Sequence, residues 1–223
     1  MGSLPISSLR EQVYQQLKSD IILGVYRPGE KLDVPRLIAQ HGLSKTPVRD
    51  ALNALQQEGL VEVLPRVGYF ASRITIKDVE DIFQLRLIVE TASAELATPN
   101  ISVEGLEALE RLAQRRYVTG DVGSYKEFLA DNREFHHRVA EATGNARLAD
   151  VIGNLLNQMQ RLLILRLDLR DNADEMLAEH RRLLQAFRAR DSKAARQAME
   201  DALRNARDAV MQSIVSKGKD WSL

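Results

Sequence analysis

One stretch of this chain carries strand character, and it limits the fold more than any other feature. In VEVLPRVGYFASRI, two β-rich runs, Val61–Leu64 and Tyr69–Ile74, bracket a Pro-Arg-Val-Gly turn and predict a hairpin. What precedes it is helical. Leu9, Val13, Leu17 and Ile21 repeat at helical spacing up to Gly24. RPGEKL makes a Pro-Gly turn, and a short helix runs from about Pro35 to His41 and stops at Gly42. A third helix spans LSKTPVRDALNALQQEGLV. Three helices followed by a hairpin make a winged helix-turn-helix.

From Thr75 onward the periodicity is helical only. Thr75-x-x-Asp78 predicts a capping box. Ser102, Ser124-x-x-Glu127, Asn145 after Gly144, and Asp171–Asn172 are further start signals. The pattern predicts six helices over roughly 78–97, 103–118, 124–142, 146–168, 173–189 and 192–215, with no internal repeat. The expected fold is therefore mainly α. Residues 1–75 are expected to form a winged helix-turn-helix DNA-binding domain. Residues 76–223 are expected to form an all-α bundle that binds an effector and dimerises.

Composition removes several alternatives. Lys plus Arg and Asp plus Glu both number 31 among 223 residues, and through residue 75 the counts are 9 against 7. Nucleic-acid binding must therefore be argued from local groups rather than from a global field. Without cysteine there are no disulfides and no thiolate zinc sites. No apolar run reaches the roughly 18 residues of a membrane span, and MGSLPISSLREQ lacks the apolar core of a signal peptide. A cytoplasmic protein with no membrane partner is expected.

The third helix explains its own proline. Ser44 is placed as N-cap, so Pro47 falls at N3, where a missing N–H costs no intrahelical bond. Leu43 and Val48 are spaced as a hydrophobic staple, and Gly59 closes the helix. Val48, Ala51, Leu52 and Leu55 share the inward face. Thr46, Arg49, Asp50 and Asn53 point outward, with Lys45 at the N-terminal edge. A recognition helix needs this geometry. Arg49 suits a bidentate guanine contact, Lys45 and Thr46 suit phosphates, and Arg66 beside Gly68 at the hairpin tip suits the backbone or minor groove.

These residues carry a resemblance. LREQVYQQLKSDIILGVYRPGEKL followed by LSKTPVRDALNALQQEGLVEVLPRVGYF is similar to the N-terminal domain of GntR-family transcription regulators. The resemblance implies DNA contacts at Lys45, Thr46, Arg49, Arg66 and the wing glycine Gly68. The family often has an arginine early in the second helix; here Pro35 precedes Arg36, which is the candidate for that contact. FQLRLIVETASAELA, DNREFHHRVAEATGN, AEHRRLLQAFRARD and DSKAARQAMEDAL resemble the FCD domain of the FadR subfamily. That likeness implies a bundle that encloses a pocket for a small organic effector, usually a carboxylate. Helical bundles expose apolar faces that pair well, so a homodimer is expected, and its two-fold symmetry suits a palindromic operator. The likeness also implies repression relieved by that effector. In many members the pocket holds a divalent metal through an Asp or Asn and three histidines.

Periodicity examines the pocket independently. Asn132 and His136 lie on the apolar stripe of their helix, His137 is turned from its centre, and His180 sits mid-stripe between Met176, Leu177, Leu183, Leu184 and Phe187. Inward polar groups need a partner, either a core neighbour or a ligand. The third histidine of the metal pattern falls at Ala202. Asn132, His136 and His180 alone are expected to hold a divalent ion such as Zn²⁺ weakly, because a protein zinc site takes four ligands or three plus water. Asp201 is read as pointing away, and Asn205 is a possible substitute. Arg86 either clamps an effector carboxylate or forms a structural pair with Glu90 at i, i+4; Arg161 is a secondary candidate. Two rival readings stay open at this point. One is a metal-dependent bundle enzyme, against which Glu179 is read as turned outward; the other is an architectural DNA binder without effector.

Overall fold

The computed structural model describes residues 6–118, 120–165 and 173–216. The chain divides into two compact units, with the break between Ile74 and Thr75.

The first unit contains α1 (Ile6–Ile22), β1 (Lys31–Leu32), α2 (Val34–His41), α3 (Lys45–Gln57), β2 (Val61–Leu64) and β3 (Gly68–Ala71). Val13, Leu17 and Ile21 of α1 close on Val48, Ala51, Leu52 and Leu55 of α3, and all seven are essentially inaccessible. Burying one such Val, Leu or Ile side chain contributes about 1.5–3 kcal/mol, so this helix pair is the main stabiliser of the unit. Asp33 caps α2 by accepting from the Arg36 N–H, and Gly42 ends it in the left-handed region. Pro47 sits at N3 of α3 and is buried. Ser44 occupies the N-cap position in extended conformation, yet its hydroxyl makes no capping bond. The helix is held at its other end instead. Gly59 and Leu60 donate to the carbonyls of Gln56 and Leu55, a Schellman arrangement.

The predicted hairpin is a three-stranded antiparallel sheet in the order β1-β3-β2. β1 has only two residues, too few to show a two-residue period, and pairs Lys31 with Phe70 and Leu32 with Tyr69. β3 starts at Gly68 and stops at Ala71 rather than running to Ile74. Its partner strand begins at Val61, which lies opposite Ala71, so the ladder has no residue left to pair.

The second unit is helical throughout its described residues: α4 (Ile76–Ala97), α5 (Val103–Leu112), α6 (Val122–Glu141), α7 (Ala146–Leu165), α8 (Ala173–Arg188) and α9 (Ser192–Ser216). Thr75 and Asp78 form the expected capping box, Ser102 caps α5, and Asn145 accepts from the Leu148 N–H at the head of α7. α6 begins earlier than Ser124 because the Asp121 carboxylate accepts from both Gly123 and Ser124 N–H groups. Ser124 accepts instead from the Val118 N–H. α5 ends six residues before the expected 118. Tertiary contacts take over there: Tyr117 stacks edge-on against Tyr125 and packs on Phe128, and Arg115 pairs with Glu127 and Asp131. The start signal at Asp171–Asn172 and the tail of the helix expected to 168 lie outside the described residues.

α4 packs along α9, α6 along α7, and α8 along α9. Phe135, Val139, Leu183, Leu184, Phe187, Met199 and Leu203 fill the core against Ala94 and Ala97. Alanines on α4 let its backbone approach α9 closely, and that approach positions the polar groups described next.

Candidate DNA surface and buried polar cavity

In the first unit, Arg36, Lys45, Thr46, Arg49 and Arg66 are exposed, and none is drawn into the core. Lys45 and Thr46 are N1 and N2 of α3, where free backbone N–H groups add positive potential toward a phosphate. Arg49 and Asn53 follow on the outer face. Asn53 accepts a 3.3 Å hydrogen bond from the Tyr69 hydroxyl, tying β3 to α3. The sequence alone did not reveal this link. Arg66 adopts φ of 65° at the wing tip, uncommon for a residue with a side chain. Gly68 has φ of 139°, and a Cβ there would come within 3.3 Å of Lys31. At the far end of α3, Glu58 accepts from Tyr14 and, at 2.6 Å, from Lys18, clamping α3 to α1.

In the second unit, Arg86, Asn132, His136, His180 and Ala202 all line one cavity of about 80 Å³. Four helices, α4, α6, α8 and α9, supply these five residues, so only the tertiary fold brings them together. Met159, Leu163, Leu203 and Ala206 add apolar wall. Glu179 belongs to this wall as well, which corrects the outward reading: it accepts from Asn205 at 2.8 Å, and burial raises its pKa against that hydrogen bond. Asn205 is thus engaged, while Asp201 accepts from Gln197 on its own helix.

Behind the wall lies a chain of charges. Arg86 Nε donates to Glu90 Oε1 at 2.5 Å, and the other carboxylate oxygen lies 2.7 Å from His136 Nδ1, a close contact in which neither atom makes a hydrogen bond. Their exposures are 4, 1 and 7 %. Burial alone would push the Glu90 carboxyl up, but Arg86 and His136 outweigh it and hold its pKa at about 2. Of the two readings of Arg86, the pair with Glu90 is formed. Its guanidinium also lies over the Phe83 ring.

His180 stacks on Phe135 with 4.1 Å between ring centroids and meets His136 edge-on at 5.5 Å. Burial, reinforced by His136, lowers its pKa to about 3, so the ring is neutral near pH 7. His180 Nδ1 and Asn132 Oδ1 are buried without a hydrogen-bond partner. Arg161 is also buried, which lowers its pKa to about 10. His137 is half-buried and faces Glu141.

Two imidazoles and a neutral amide do not complete a zinc shell, and Ala202 stands on the wall where a third imidazole would be needed. Among the described residues, no three His, Asp or Glu side chains gather in a metal-holding group. The donor set does not fit a resident metal.

Residues 9–70 match the bacterial regulatory proteins of the gntR family, and residues 81–205 match the FCD domain. The chain belongs to the GntR family. Its FCD domain is the arrangement of the FadR subfamily. The uncharacterized HTH-type transcriptional regulator YdhC of Bacillus subtilis is 28% identical over 187 residues, covering 83% of this chain and 84% of that protein. The HTH-type transcriptional repressor RspR of Escherichia coli is 24% identical over 217 residues, covering 97% and 95%. The solved structure of E. coli McbR/YncC superimposes with a TM-score of 0.77 at 22% identity, covering 96% of this chain and all of that one, and shows the same fold. GntR-family proteins of this kind are transcription regulators rather than enzymes, with a DNA-binding helix-turn-helix and an effector-binding FCD domain. No helix among the described residues is long and apolar enough to cross a membrane.

Glu90 is the residue that sequence reasoning underused. Its spacing with Phe83, Arg86, Ala94 and Ala97 places it on the inward face of α4. The one available signal was a carboxylate on that face.

Proposed function

We propose that this GntR-family protein is a cytoplasmic, dimeric repressor that binds a palindromic operator and releases it when a small organic acid enters the bundle cavity. Residues 1–75 bind DNA; residues 76–223 bind the effector and dimerise. Arg49 contacts a base edge, Lys45, Thr46 and Arg36 contact phosphates, and Arg66 with Gly68 carries the wing to the backbone or minor groove. The observation that carries the DNA half is the exposed N-terminal turn of α3, tied to the wing through Tyr69 and Asn53. Two-fold symmetry would set two such helices about 34 Å apart, one helical turn of DNA. The effector half is supported by a cavity within the bundle whose wall carries Arg86, Asn132, His136 and His180. At about 80 Å³ it holds a molecule of roughly four to six non-hydrogen atoms.

Selection of random duplexes on the purified protein, followed by footprinting, tests the DNA half. An inverted repeat with half-sites about one turn apart is expected; binding without sequence preference would favour an architectural protein. Sedimentation of residues 76–223 should show a folded dimer, and a monomer at micromolar concentration would remove the dimerisation role. A small acid that raises the melting temperature and weakens operator binding would complete the reading.

A further inference from the structure

The wing takes hold of one end of a side chain on the outer face of α3. Asn53 stands one helical turn beyond Arg49 and is exposed on the same face. A side-chain amide has an acceptor oxygen and a donor nitrogen. Asparagine reads adenine by using both at once, accepting from N6 and donating to N7. Here the oxygen is engaged, because Oδ1 accepts at 3.3 Å from the Tyr69 hydroxyl. Tyr69 is itself fixed. It lies on the middle strand of the sheet, opposite Leu32 on one side and Val63 on the other, and is half-buried. The planar amide puts Nδ2 on the side away from that hydroxyl. The end that Asn53 offers to solvent is therefore a pair of N–H donors.

We infer, with α3 as the recognition helix proposed above, that Asn53 is a second base-reading residue and that Tyr69 is a positioning residue which sets the base it reads. Held by the wing, Asn53 needs an edge made of acceptors. Guanine presents one in the major groove, with O6 and N7 side by side. Adenine presents N7 beside an N6 amino group, and that amino group would find no oxygen to receive it. Thymine has one acceptor beside a methyl group, and cytosine shows a donor. The clamp thus turns a residue suited to adenine toward guanine. Arg49 and Asn53 lie about 6 Å apart along the helix, so they should read base pairs about two steps apart in the same half-site.

The test uses the full-length protein. Selection from random duplexes finds the preferred site, and binding titrations follow on duplexes with each of the four bases at every selected position. The wild type should require one guanine in each half-site that Asn53→Ala does not. Its preference over adenine there should be roughly two- to tenfold, the size of one net hydrogen bond. Tyr69→Phe keeps the ring and frees Oδ1, so it should move the preference at that same position to adenine. A Tyr69 that only supports the fold would instead weaken binding to all duplexes and leave the preferred base unchanged. If Tyr69→Phe fails to fold, Asn53→Asp decides. It keeps one acceptor for Tyr69 and turns the other outward, so guanine should give way to cytosine. An unchanged preference in Asn53→Ala overturns the inference, as does guanine retained in a folded Tyr69→Phe or, in its place, in Asn53→Asp. Arg49→Ala separates this failure from that of the underlying reading. If it relaxes a position of its own, α3 remains the recognition helix; if it changes nothing, that reading falls as well.

Discussion

The two units place their charges in opposite ways. In the DNA-binding unit, Arg36, Lys45, Arg49 and Arg66 are all exposed, and the interior between α1 and α3 is aliphatic. In the bundle, Arg86, Glu90, His136 and His180 are all at least nine-tenths buried. An exposed charge costs little to keep and acts at long range on a polyanion. A buried charge must be paired where it lies and acts only on what enters beside it. A reader of DNA can therefore be assembled from surface residues that the core ignores, whereas a sensor of small molecules must build its chemistry into the packing.

The largest test of this contrast is to delete one buried partner. Glu90→Ala should destabilise the protein by about 3–5 kcal/mol, because Arg86 is left buried without its counter-charge. Arg49→Ala should stay within about 0.5 kcal/mol of wild type. Urea midpoints of the two variants check this, and equal losses would erase the distinction between the units.

Acid should tell the same story. His180 titrates at about 3 folded, against its ordinary 6.5. Glu90 titrates at about 2, against 4.5. In both windows the unfolded chain binds more protons than the folded one, so stability rises with pH. Stability should be full above 6.5 and fall first through His180 and below 4.5 through Glu90 as well, at up to about 1.4 kcal/mol per pH unit for each group. Urea midpoints from pH 4 to 8 in chelator-containing buffer should show this. His180→Leu should flatten the 4.5–6.5 segment, and Arg49→Ala should leave it unchanged.

A third test adds to the cavity rather than removing from it. Ala202→His places an imidazole on the wall shared by Asn132, His136 and His180. Zinc affinity by competition with a fluorescent chelator should rise by roughly tenfold or more. No gain would mean that the four positions cannot converge on one ion.

On the DNA side the effects fall on binding and leave stability nearly unchanged. Arg49→Ala should cost about 1–3 kcal/mol of operator binding and relax sequence preference at one position. Lys45→Ala should weaken all duplexes alike and reduce the salt slope by about one. An unchanged operator affinity in Arg49→Ala would reassign the recognition helix.

Some of this was written in the sequence because the physics involved is local. The inward face of α3, the tolerance of Pro47 in the first turn, the Thr75–Asp78 box and the Gly59 stop depend on neighbours within five residues. Periodicity likewise sufficed to turn Asn132, His136 and His180 inward. Where the decisive partner was distant in sequence, the structure alone could supply it. β1 exists because β3 offers it a ladder. α5 stops early because Tyr117 finds Tyr125 and Phe128. Glu179 faces the cavity because Asn205 lies on the adjoining helix. Above all, Glu90 looked like half of an i, i+4 pair until α6 laid His136 against its second oxygen. A carboxylate has two oxygens, and chain spacing could account for only one of them.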